Sequence, residues 1–303
     1  MNILIKHKLS AFIVYNITKK GIFRLLSDKQ IMIIDYFITF GKMPNLQNPK
    51  TFNEKIQWIK LYGGLEKYLK YVDKYEVRNF ISKTIGEEYL VPLLGVWDKF
   101  DDIDFNKLPR QFVMKAAHGS SYVFVCKDKA TLNINLLKKT VSKWLRENFY
   151  QKTGEIQYRD CKPRILCEKY MKDESGQLID YKYLCFDGKP RIVELVWDRF
   201  TEHRNEVFLD LDWNMLTYLA LSYAKKLPKK PENLEEMLDV SKKLSKIFPF
   251  VRVDLYSVKN KIYAGELTFT PDNGLEKFDP PEVDYQLGEL FDLSKYNKNQ
   301  IIK

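Results

Sequence analysis

The sequence predicts an α+β protein in which two α+β modules follow a helical N-terminal segment. Residues 109–171 carry strand, loop, strand, helix and strand signals in that order, and from residue 172 a hairpin, an amphipathic helix and a second hairpin follow. The 303-residue chain is 45% apolar and 30% charged, which is ordinary for a folded protein of one large or two to three small domains.

The first predicted unit, residues 1–44, is a basic helical arm. Residues 1–30 hold six Lys or Arg and one Asp, so they contribute +5 of the net charge of +10. This concentration of charge does not indicate a nucleic-acid groove along the whole chain, and we expect no nucleic-acid partner. The arm also carries apolar side chains. It is either a helix packed on the protein body or a basic amphipathic helix on an anionic membrane, and we favour packing.

Targeting and redox signals are few. No stretch reaches the roughly 18–20 apolar residues that span a bilayer, and no signal-peptide layout is present. We therefore expect a cytoplasmic protein, with peripheral contact at the inner face of the membrane through residues 1–30 as an option. We expect the four cysteines, which lack CxxC spacing, to be buried thiols: Cys126, Cys161, Cys167 and Cys185. With only three distant histidines, neither a histidine metal centre nor a Ser-His-Asp triad is expected.

The second predicted unit, residues 45–108, begins with helices. Thr51 and Glu54 are spaced as a capping box, and apolar residues at helical spacing follow them. A further helix is predicted over Val72–Ile85.

The third predicted unit, residues 109–171, is a compact module. Gln111–Lys115 and Tyr122–Cys126 are predicted strands on either side of a small-residue loop. A helix over Leu136–Tyr150 and a strand over Arg164–Tyr170 complete the unit.

The fourth predicted unit, residues 172–293, begins with strands at Asp180–Phe186 and Pro190–Val196, which a tight turn joins. An amphipathic helix, capped by its first residue, is predicted over Asn233–Phe248, and residues 294–303 are a predicted flexible tail.

The last hairpin carries a carboxylate on each strand. Asp254 lies in an apolar run, and Glu266 follows the turn signal at Ser257–Lys261. A hairpin places these carboxylates on facing strands, with Arg252 on the same face as Asp254. Because a buried carboxylate is costly unless it is paired or holds a metal, the segment predicts either a metal–triphosphate site or a salt-bridge cluster.

Three other patterns have both a chemical and a plain structural explanation. The loop after Lys115 offers residues suited to phosphate: Gly119, Ser120 and Ser121. Alone, it indicates an ordinary hairpin. Asp73-Lys74 alone indicates a solvated helix face. Glu168, at the end of a strand, could bind nucleoside groups or form an edge-strand salt bridge.

In this order, these patterns resemble the ATP-grasp superfamily. Longer segments resemble the TupA-like ATP-grasp family, whose members are associated with teichuronopeptide and capsular polysaccharide biosynthesis. The segments that carry this resemblance are Asn48-Pro-Lys-Thr-Phe-Asn-Glu-Lys-Ile-Gln-Trp58, Asp73-Lys-Tyr75, Ile85-Gly-Glu-Glu-Tyr-Leu-Val-Pro92, Lys115-Ala-Ala-His-Gly-Ser120, Asp180-Tyr-Lys182, Asp198-Arg-Phe200 and Phe250-Val-Arg-Val-Asp254.

The resemblance implies an ATP-grasp fold in which two α+β modules enclose ATP, with residues 109–171 as the small lid subdomain and residues 172–293 as the subdomain with the metal site. It implies that Lys74 and Lys115 contact the ATP phosphates and that Glu168 lies near the adenine and ribose. The mobile lid loop is then formed by Gly119, Ser120 and Ser121.

The same resemblance also implies which residues bind the metal and which bind the substrate. Arg252 would face the γ-phosphate, while Asp254 and Glu266 would bind one or two Mg²⁺ ions. The superfamily's third ligand is an asparagine, and here that position is Thr268. The candidates for holding an anionic substrate are Lys182, Arg199, Arg191, His203 and Arg204.

The implied activity is ATP-dependent ligation of a carboxylate to an amine or amino acid through an acyl phosphate, with a uronic acid of a glycan precursor as the carboxylate. Three alternatives stay open. The first is a glycosyltransferase, for which Asp210-Leu-Asp212 offers only a chance DxD spacing. The second is a kinase that releases a phosphorylated product. The third is a non-catalytic basic protein that binds nucleic acid or membrane through its arm.

Overall fold

The computed structural model describes residues 26–173, 178–198, 201, 204–216 and 227–296. Most of the predicted N-terminal arm, the substrate candidates Arg199 and His203 and the end of the predicted tail lie outside these residues. The described part is α+β, as predicted, with two antiparallel sheets. None of its helices is long and apolar enough to cross a membrane.

Two capped helices, α1 (Asp28–Phe40) and α2 (Phe52–Tyr62), precede the sheets. The predicted capping box begins α2, where Thr51 Oγ1 accepts the Glu54 N–H and the Glu54 carboxylate accepts the Thr51 N–H. The same carboxylate accepts the N–H of Asn45, so it also holds the preceding segment against the helix.

The single helix predicted over Val72–Ile85 is wrong. The structure has a short helix α3 (Leu69–Val72) and a second helix α4 (Val77–Ile85). Asp73 interrupts them because its backbone is extended (ψ 118°) and its Oδ1 accepts the N–H groups of residues 75 and 76. A side chain that bonds the following amides in this way starts a new turn and does not continue the old one.

The first sheet has four antiparallel strands in the order β1-β4-β2-β3. The strands are β1 (Leu93–Trp97), β2 (Phe112–Ala116), β3 (Val123–Cys126) and β4 (Ile165–Lys169). Strand β1 comes from the segment 45–108, so this segment contributes to the same sheet as the residues that follow it. The boundaries of the predicted units stay a prediction.

The helix of this first module is also interrupted. In place of one helix over Leu136–Tyr150, the structure has α5 (Ile134–Arg146) and α6 (Phe149–Thr153). Asn148 causes the break, because its Oδ1 accepts the N–H of Gln151 at 3.1 Å and caps α6.

The second sheet has five antiparallel strands in the order β7-β6-β5-β8-β9. The strands are β5 (Asp180–Phe186), β6 (Lys189–Trp197), β7 (Asn205–Leu209), β8 (Phe250–Val258) and β9 (Lys261–Thr268). Lys259 and Asn260, between β8 and β9, both have positive φ, as do Asp187 and Gly188 between β5 and β6. Left-handed residues at both central positions match the right-handed twist of paired strands, so both predicted hairpins form.

One face of this second sheet is apolar and packs against helix α7 (Leu234–Ser245). The helix is shorter than predicted. Asn233 precedes it without capping it, and Asn233 Oδ1 accepts a hydrogen bond from Ser257 on β8. A last helix, α8 (Glu282–Leu290), packs on α2. All four cysteines are free and buried, as expected.

Candidate functional site

The polar face of the second sheet carries a row of charged side chains across four strands. The pairing register aligns Glu266 with Asp254, Asp254 with Lys182, and Lys182 with Glu194. We call these four residues the charged row. Asp254, Lys182 and Glu194 are all less than a tenth exposed, and Lys182 Nζ forms an ion pair with Glu194. Two carboxylates and one ammonium are therefore poorly hydrated, while the side chain of Glu266, at the end of the row, is 33% exposed.

Arg252 supplies a second cation beside this row. Its Nε and Nη2 both donate to the Asp254 carboxylate at 2.8 Å, and its Nη1 lies 3.6 Å from Glu194 Oε2. Nη2 also donates weakly to Thr268 Oγ1 at 3.4 Å. The predicted shared face of Arg252 and Asp254 is thus present, and the arginine contacts the carboxylate in the two-pronged geometry that binds phosphate equally well.

The pKa values of the two hairpin carboxylates are shifted in opposite directions. Burial raises the pKa of Asp254 to about 6, and the charge of Glu266 adds to this effect while Arg252 opposes it. Burial also acts to raise the pKa of Glu266, but the cations Lys74, Arg252 and Lys115 outweigh it and lower this pKa to about 2. Of the two hairpin carboxylates, Asp254 therefore holds its proton more tightly.

Lys74 connects the first module to this hairpin. Its Nζ lies 3.3 Å from Glu266 Oε2 and donates to the carbonyl of Gly119 at 2.7 Å, while its backbone N–H donates to the carbonyl of Ala117. The Lys74 side chain is only 11% exposed, which does not fit a solvated helix face. Its neighbour Asp73 is fully buried and binds Arg164 Nη2 at 3.0 Å. Asp73 thus holds the turn that presents Lys74.

The glycine–serine loop, residues 117–121, lies beside Lys74. A Cβ on Gly119 would come within 2.8 Å of the rings of Phe149 and Tyr122, so only glycine fits there. Ser120 and Ser121 are exposed, Ser121 has a φ of 64°, and neither hydroxyl bonds to any residue that the structure describes. The loop thus has a tightly packed base and a tip whose hydroxyls face solvent.

Lys115 and Glu168 meet on the first sheet. Lys115 Nζ lies 2.7 Å from Glu168 Oε2, and the two side chains are 16% and 9% exposed. Burial acts to lower the pKa of Lys115, but the charge and hydrogen bond of Glu168 raise it overall. Since β4 lies between β1 and β2, the Glu168 ion pair is in the middle of the sheet and not at its edge.

The sequence interpretation missed two arginines in this region. Arg78 Nη1 lies 3.5 Å from Glu168 Oε1, and its Nη2 donates to the Val91 carbonyl. Arg164 binds Asp73 and Glu76. Arg78 stands four residues after Lys74, and this helical spacing was the only local signal for it.

The anionic-substrate candidates are not all brought together. Lys182 lies in the charged row on β5, whereas Arg204 is exposed, directly precedes β7 and pairs with Glu206 on that edge strand. Arg191 is exposed and lies at a bulge of β6, where the register between β5 and β6 shifts. Arg199 and His203 lie outside the described residues.

Hard oxygen ligands are available at the hairpin. Asp254 and Glu266 face each other across the strands, and Thr268 Oγ1 lies 3.3 Å from Glu266 Oε1. The described residues contain no cluster of three or more His, Cys, Asp or Glu arranged for a metal. Mg²⁺, however, is commonly bound by one or two carboxylates together with substrate phosphates. Asp254, Glu266 and Thr268 offer oxygens of this kind, and Arg252, which donates to both oxygens of Asp254, would have to release one of them to the ion.

Asp210-Leu-Asp212 has a structural role. The Asp210 carboxylate accepts the N–H groups of Asp212 and Asn214 and the side-chain amide of Asn214. These bonds close the turn after β7, so the spacing gives no support to a sugar-nucleotide site.

The comparison with solved structures finds distant similarity to several ligases. D-alanine–D-alanine ligase from Bacillus anthracis has a TM-score of 0.43 and 21% identity, with 74% of this chain and 64% of that chain covered. The Helicobacter pylori enzyme has a TM-score of 0.43 and 12% identity, covering 82% and 66%. L-amino acid ligase from Bacillus licheniformis has a TM-score of 0.41 and 11% identity, covering 80% and 53%. The chain spans less than two thirds of the length of each of these structures.

No curated protein sequence is significantly similar to the chain. Residues 54–292 match the protein-family model that is described as TupA-like ATPgrasp. The matched range contains Lys74, Lys115, Glu168 and both carboxylates of the hairpin. With well over half of its residues matched, the chain belongs to the TupA-like ATP-grasp family.

Proposed function

We propose that the protein is an ATP-dependent carboxylate–amine ligase. The observation that carries the proposal is that Lys74 links the glycine–serine loop to the carboxylate hairpin, so cations and carboxylates suited to a metal–triphosphate lie against one another. Membership of the TupA-like ATP-grasp family supports the same activity.

Nucleotide binding would exchange the ion pairs of the first module. Lys115 and Glu168 neutralise each other in the described structure, so ATP phosphates would take Lys115 while Glu168 accepts hydrogen bonds from the adenine or ribose. Lys74 would bind phosphate beside the glycine–serine loop, whose Ser120 and Ser121 hydroxyls point to solvent. Lys74 and Lys115 would each exchange one anionic partner for another. Nucleotide binding would therefore add little to the free energy that it costs to remove these two ammonium groups from water.

Arg252 and the charged row would bind the phosphoryl group that is transferred. The reaction transfers the γ-phosphoryl group of ATP to the substrate carboxylate, giving an acyl phosphate and ADP, and the amine then displaces phosphate to form the amide. The Arg252 guanidinium would stabilise charge on the phosphoryl oxygens. Mg²⁺ bound at Asp254, Glu266 and Thr268 would neutralise part of the triphosphate charge. Lys182 is our candidate for orienting the acceptor carboxylate, together with Arg199.

We propose that the acceptor is a uronic acid in a cell-surface polysaccharide precursor and that the second substrate is an amine or amino acid. The support is the family's association with teichuronopeptide and capsular polysaccharide biosynthesis. A kinase-like outcome, with release of the phosphorylated acceptor, would use the same residues.

Release of ADP tests the proposal, measured for the wild-type protein with uronic acids crossed against amines and with Mg²⁺ present. We expect turnover that requires both substrates. We also expect loss of ATP binding in Lys115→Ala and loss of turnover in Glu266→Ala, with Lys67→Ala, an exposed lysine, as control. Unchanged activity in both site variants would refute the assignment. Thermal stabilisation by UDP-sugars but not by ATP–Mg²⁺ would favour a glycosyltransferase.

A further inference from the structure

Glu168 has two cationic partners, one at each oxygen of its carboxylate. Arg78 Nη1 lies 3.5 Å from Oε1, and Lys115 Nζ lies 2.7 Å from Oε2. The side chain of Glu168 is 9% exposed, and each of the two cations is 16% exposed. Two cations and one carboxylate give this cluster a net charge of +1. One of the cations can therefore turn to another anion while Glu168 stays paired.

Lys115 is the cation that is placed to turn away. It lies near the end of β2, which leads into the glycine–serine loop. The register pairs Lys115 with Leu166, two residues before Glu168 on β4, so both charged side chains are on the same face of the sheet. Lysine carries a compact ammonium group on a flexible stem, which can move between neighbouring anions.

Arg78 is held in place by a second contact. Its Nη2 donates to the carbonyl of Val91 at 3.0 Å, while Nη1 faces Glu168. Because a guanidinium has several donors in a rigid plane and stays charged, one arginine can hold a carbonyl and a carboxylate together. The residue before Val91, Leu90, forms a β-bridge with Ala264 on β9. Arg78 therefore approaches Glu168 from a segment that is fixed to the second sheet.

The proposed binding of ATP phosphates to Lys115 would leave Glu168 with one cation fewer. Among the described residues, Arg78 is then the cation that remains within ion-pair distance of Glu168. Removing one partner of a buried ion pair is strongly destabilising when it leaves an uncompensated charge. Arg78 prevents this, because Oε1 stays paired while Oε2, which Lys115 leaves, becomes free to accept a hydrogen bond from the nucleoside.

We propose that Arg78 is a positioning residue that holds Glu168 when Lys115 turns to the ATP phosphates. This inference rests on the proposed function, which assigns ATP to this site. Arg78 acts through Glu168 and does not contact the nucleotide. Without Arg78, Lys115 would be the one partner of Glu168 among the described residues, and ATP would have to compete with a buried carboxylate for it.

A double-mutant cycle on the full-length protein tests this role, with the affinity for a non-hydrolysable ATP analogue and Mg²⁺ measured by isothermal titration. Arg78→Met should weaken binding about tenfold to a hundredfold, because Glu168 then keeps Lys115. Glu168→Gln removes the competing charge but keeps a carbonyl oxygen that can accept from the nucleoside. In the Glu168→Gln background, Arg78→Met should change the affinity by less than about twofold.

Three results would overturn the role of Arg78. An equal loss of affinity in both backgrounds would mean that Arg78 binds the nucleotide directly or only supports the fold. Unchanged affinity in Arg78→Met would mean that Glu168 releases Lys115 without help. Arg78→Lys keeps the positive charge and should retain the affinity within about threefold, so a loss as large as that of Arg78→Met would contradict the proposal as well.

Arg110→Met is the matched control, because Arg110 also donates through two nitrogens to a carboxylate, that of Asp128, but at the surface of the first module. Its affinity should equal that of the wild-type protein. Thermal unfolding checks that each variant is folded. If Arg78→Met does not fold, Arg78→Gln gives the same test, since its amide can still donate to the Val91 carbonyl.

The wild-type titration separates this inference from the proposed function. If the wild-type protein binds neither ATP nor the analogue with Mg²⁺, the proposed function fails and the role of Arg78 falls with it. If the wild-type protein binds the analogue and Arg78→Met weakens binding equally in both backgrounds, only the role of Arg78 is refuted.

Discussion

Lys74 Nζ lies 3.3 Å from Glu266 Oε2, joining a turn before the first sheet to the last strand of the second. The same ammonium donates to the carbonyl of Gly119. A single side chain therefore connects the glycine–serine loop to the carboxylate hairpin. Its removal should break one contact of the loop and one contact of the hairpin.

Lys74→Met should weaken ATP binding by about tenfold to a hundredfold, because a partly buried cation that would face phosphate is lost. Isothermal titration with a non-hydrolysable ATP analogue and Mg²⁺ measures the change. Lys67→Ala, an exposed lysine nearby, serves as control. Equal affinities of the Lys74 variant and the wild-type protein would contradict a phosphate contact.

Thr268→Val should weaken Mn²⁺ binding to the ADP complex by about tenfold, because valine keeps the shape but offers no oxygen to the ion. Electron paramagnetic resonance of Mn²⁺ titrations gives the affinity directly. Thr140→Val, whose hydroxyl bonds to the Leu136 carbonyl on the surface of α5, is a matched control. If both variants bind Mn²⁺ like the wild type, Thr268 is not a ligand.

Gly119→Ala should reduce nucleotide affinity, because the new Cβ would lie 2.8 Å from ring atoms of Phe149 and Tyr122 and displace the loop. Gly41→Ala is the comparison, since Gly41 ends α1 at a φ of 71° with open space around it. That variant should lose about 1 kcal/mol of stability without a change in nucleotide affinity. Equal nucleotide affinity in the Gly119 variant would show that the loop tolerates the shift.

Asp35→Asn should stabilise the protein at pH 7. Burial raises the pKa of Asp35 from 3.8 to about 6, and Asp35 Oδ1 has no hydrogen-bond partner among the described residues. The folded state thus holds this proton more tightly than the unfolded state, so the contribution of Asp35 to stability falls as pH rises from about 4 to about 6. Removing the charge should recover about 1–2 kcal/mol above that window and little near pH 4.

Chemical denaturation at pH 4.5 and pH 7 measures this difference. Asp28→Asn, on the same helix, should act in the opposite direction, because Asp28 lies in the first turn of α1 and accepts a hydrogen bond from Tyr150. Identical pH profiles for Asp35→Asn and the wild-type protein would show that the carboxyl group is not perturbed.

Local sequence patterns were sufficient for several features. The left-handed residues Lys259 and Asn260 follow from the turn signal, and with them the hairpin forms. The register that puts Asp254 opposite Glu266 depends in addition on a bulge between Asp254 and Leu255. The capping box of Thr51 and Glu54 also formed as predicted. These features depend on residues a few positions apart, whose geometry the backbone periodicity controls.

The helix interruptions at Asp73 and Asn148 were not predicted, because apolar periodicity continues through both positions while the side chain of each bonds to the amides that follow it. A polar residue inside an apolar pattern thus marks either the helix surface or a new cap, and only the backbone conformation distinguishes the two.

The sequence by itself determined the family, the α+β class, the presence of the hairpins and the types of charged residue available. Only the tertiary structure decided that Lys74 reaches Glu266, that Asp73 binds Arg164 and that Gln57 on α2 donates to the carbonyls of residues 273 and 274. These contacts join segments far apart in the chain. Their distances depend on how whole elements pack, and no spacing within one segment encodes that.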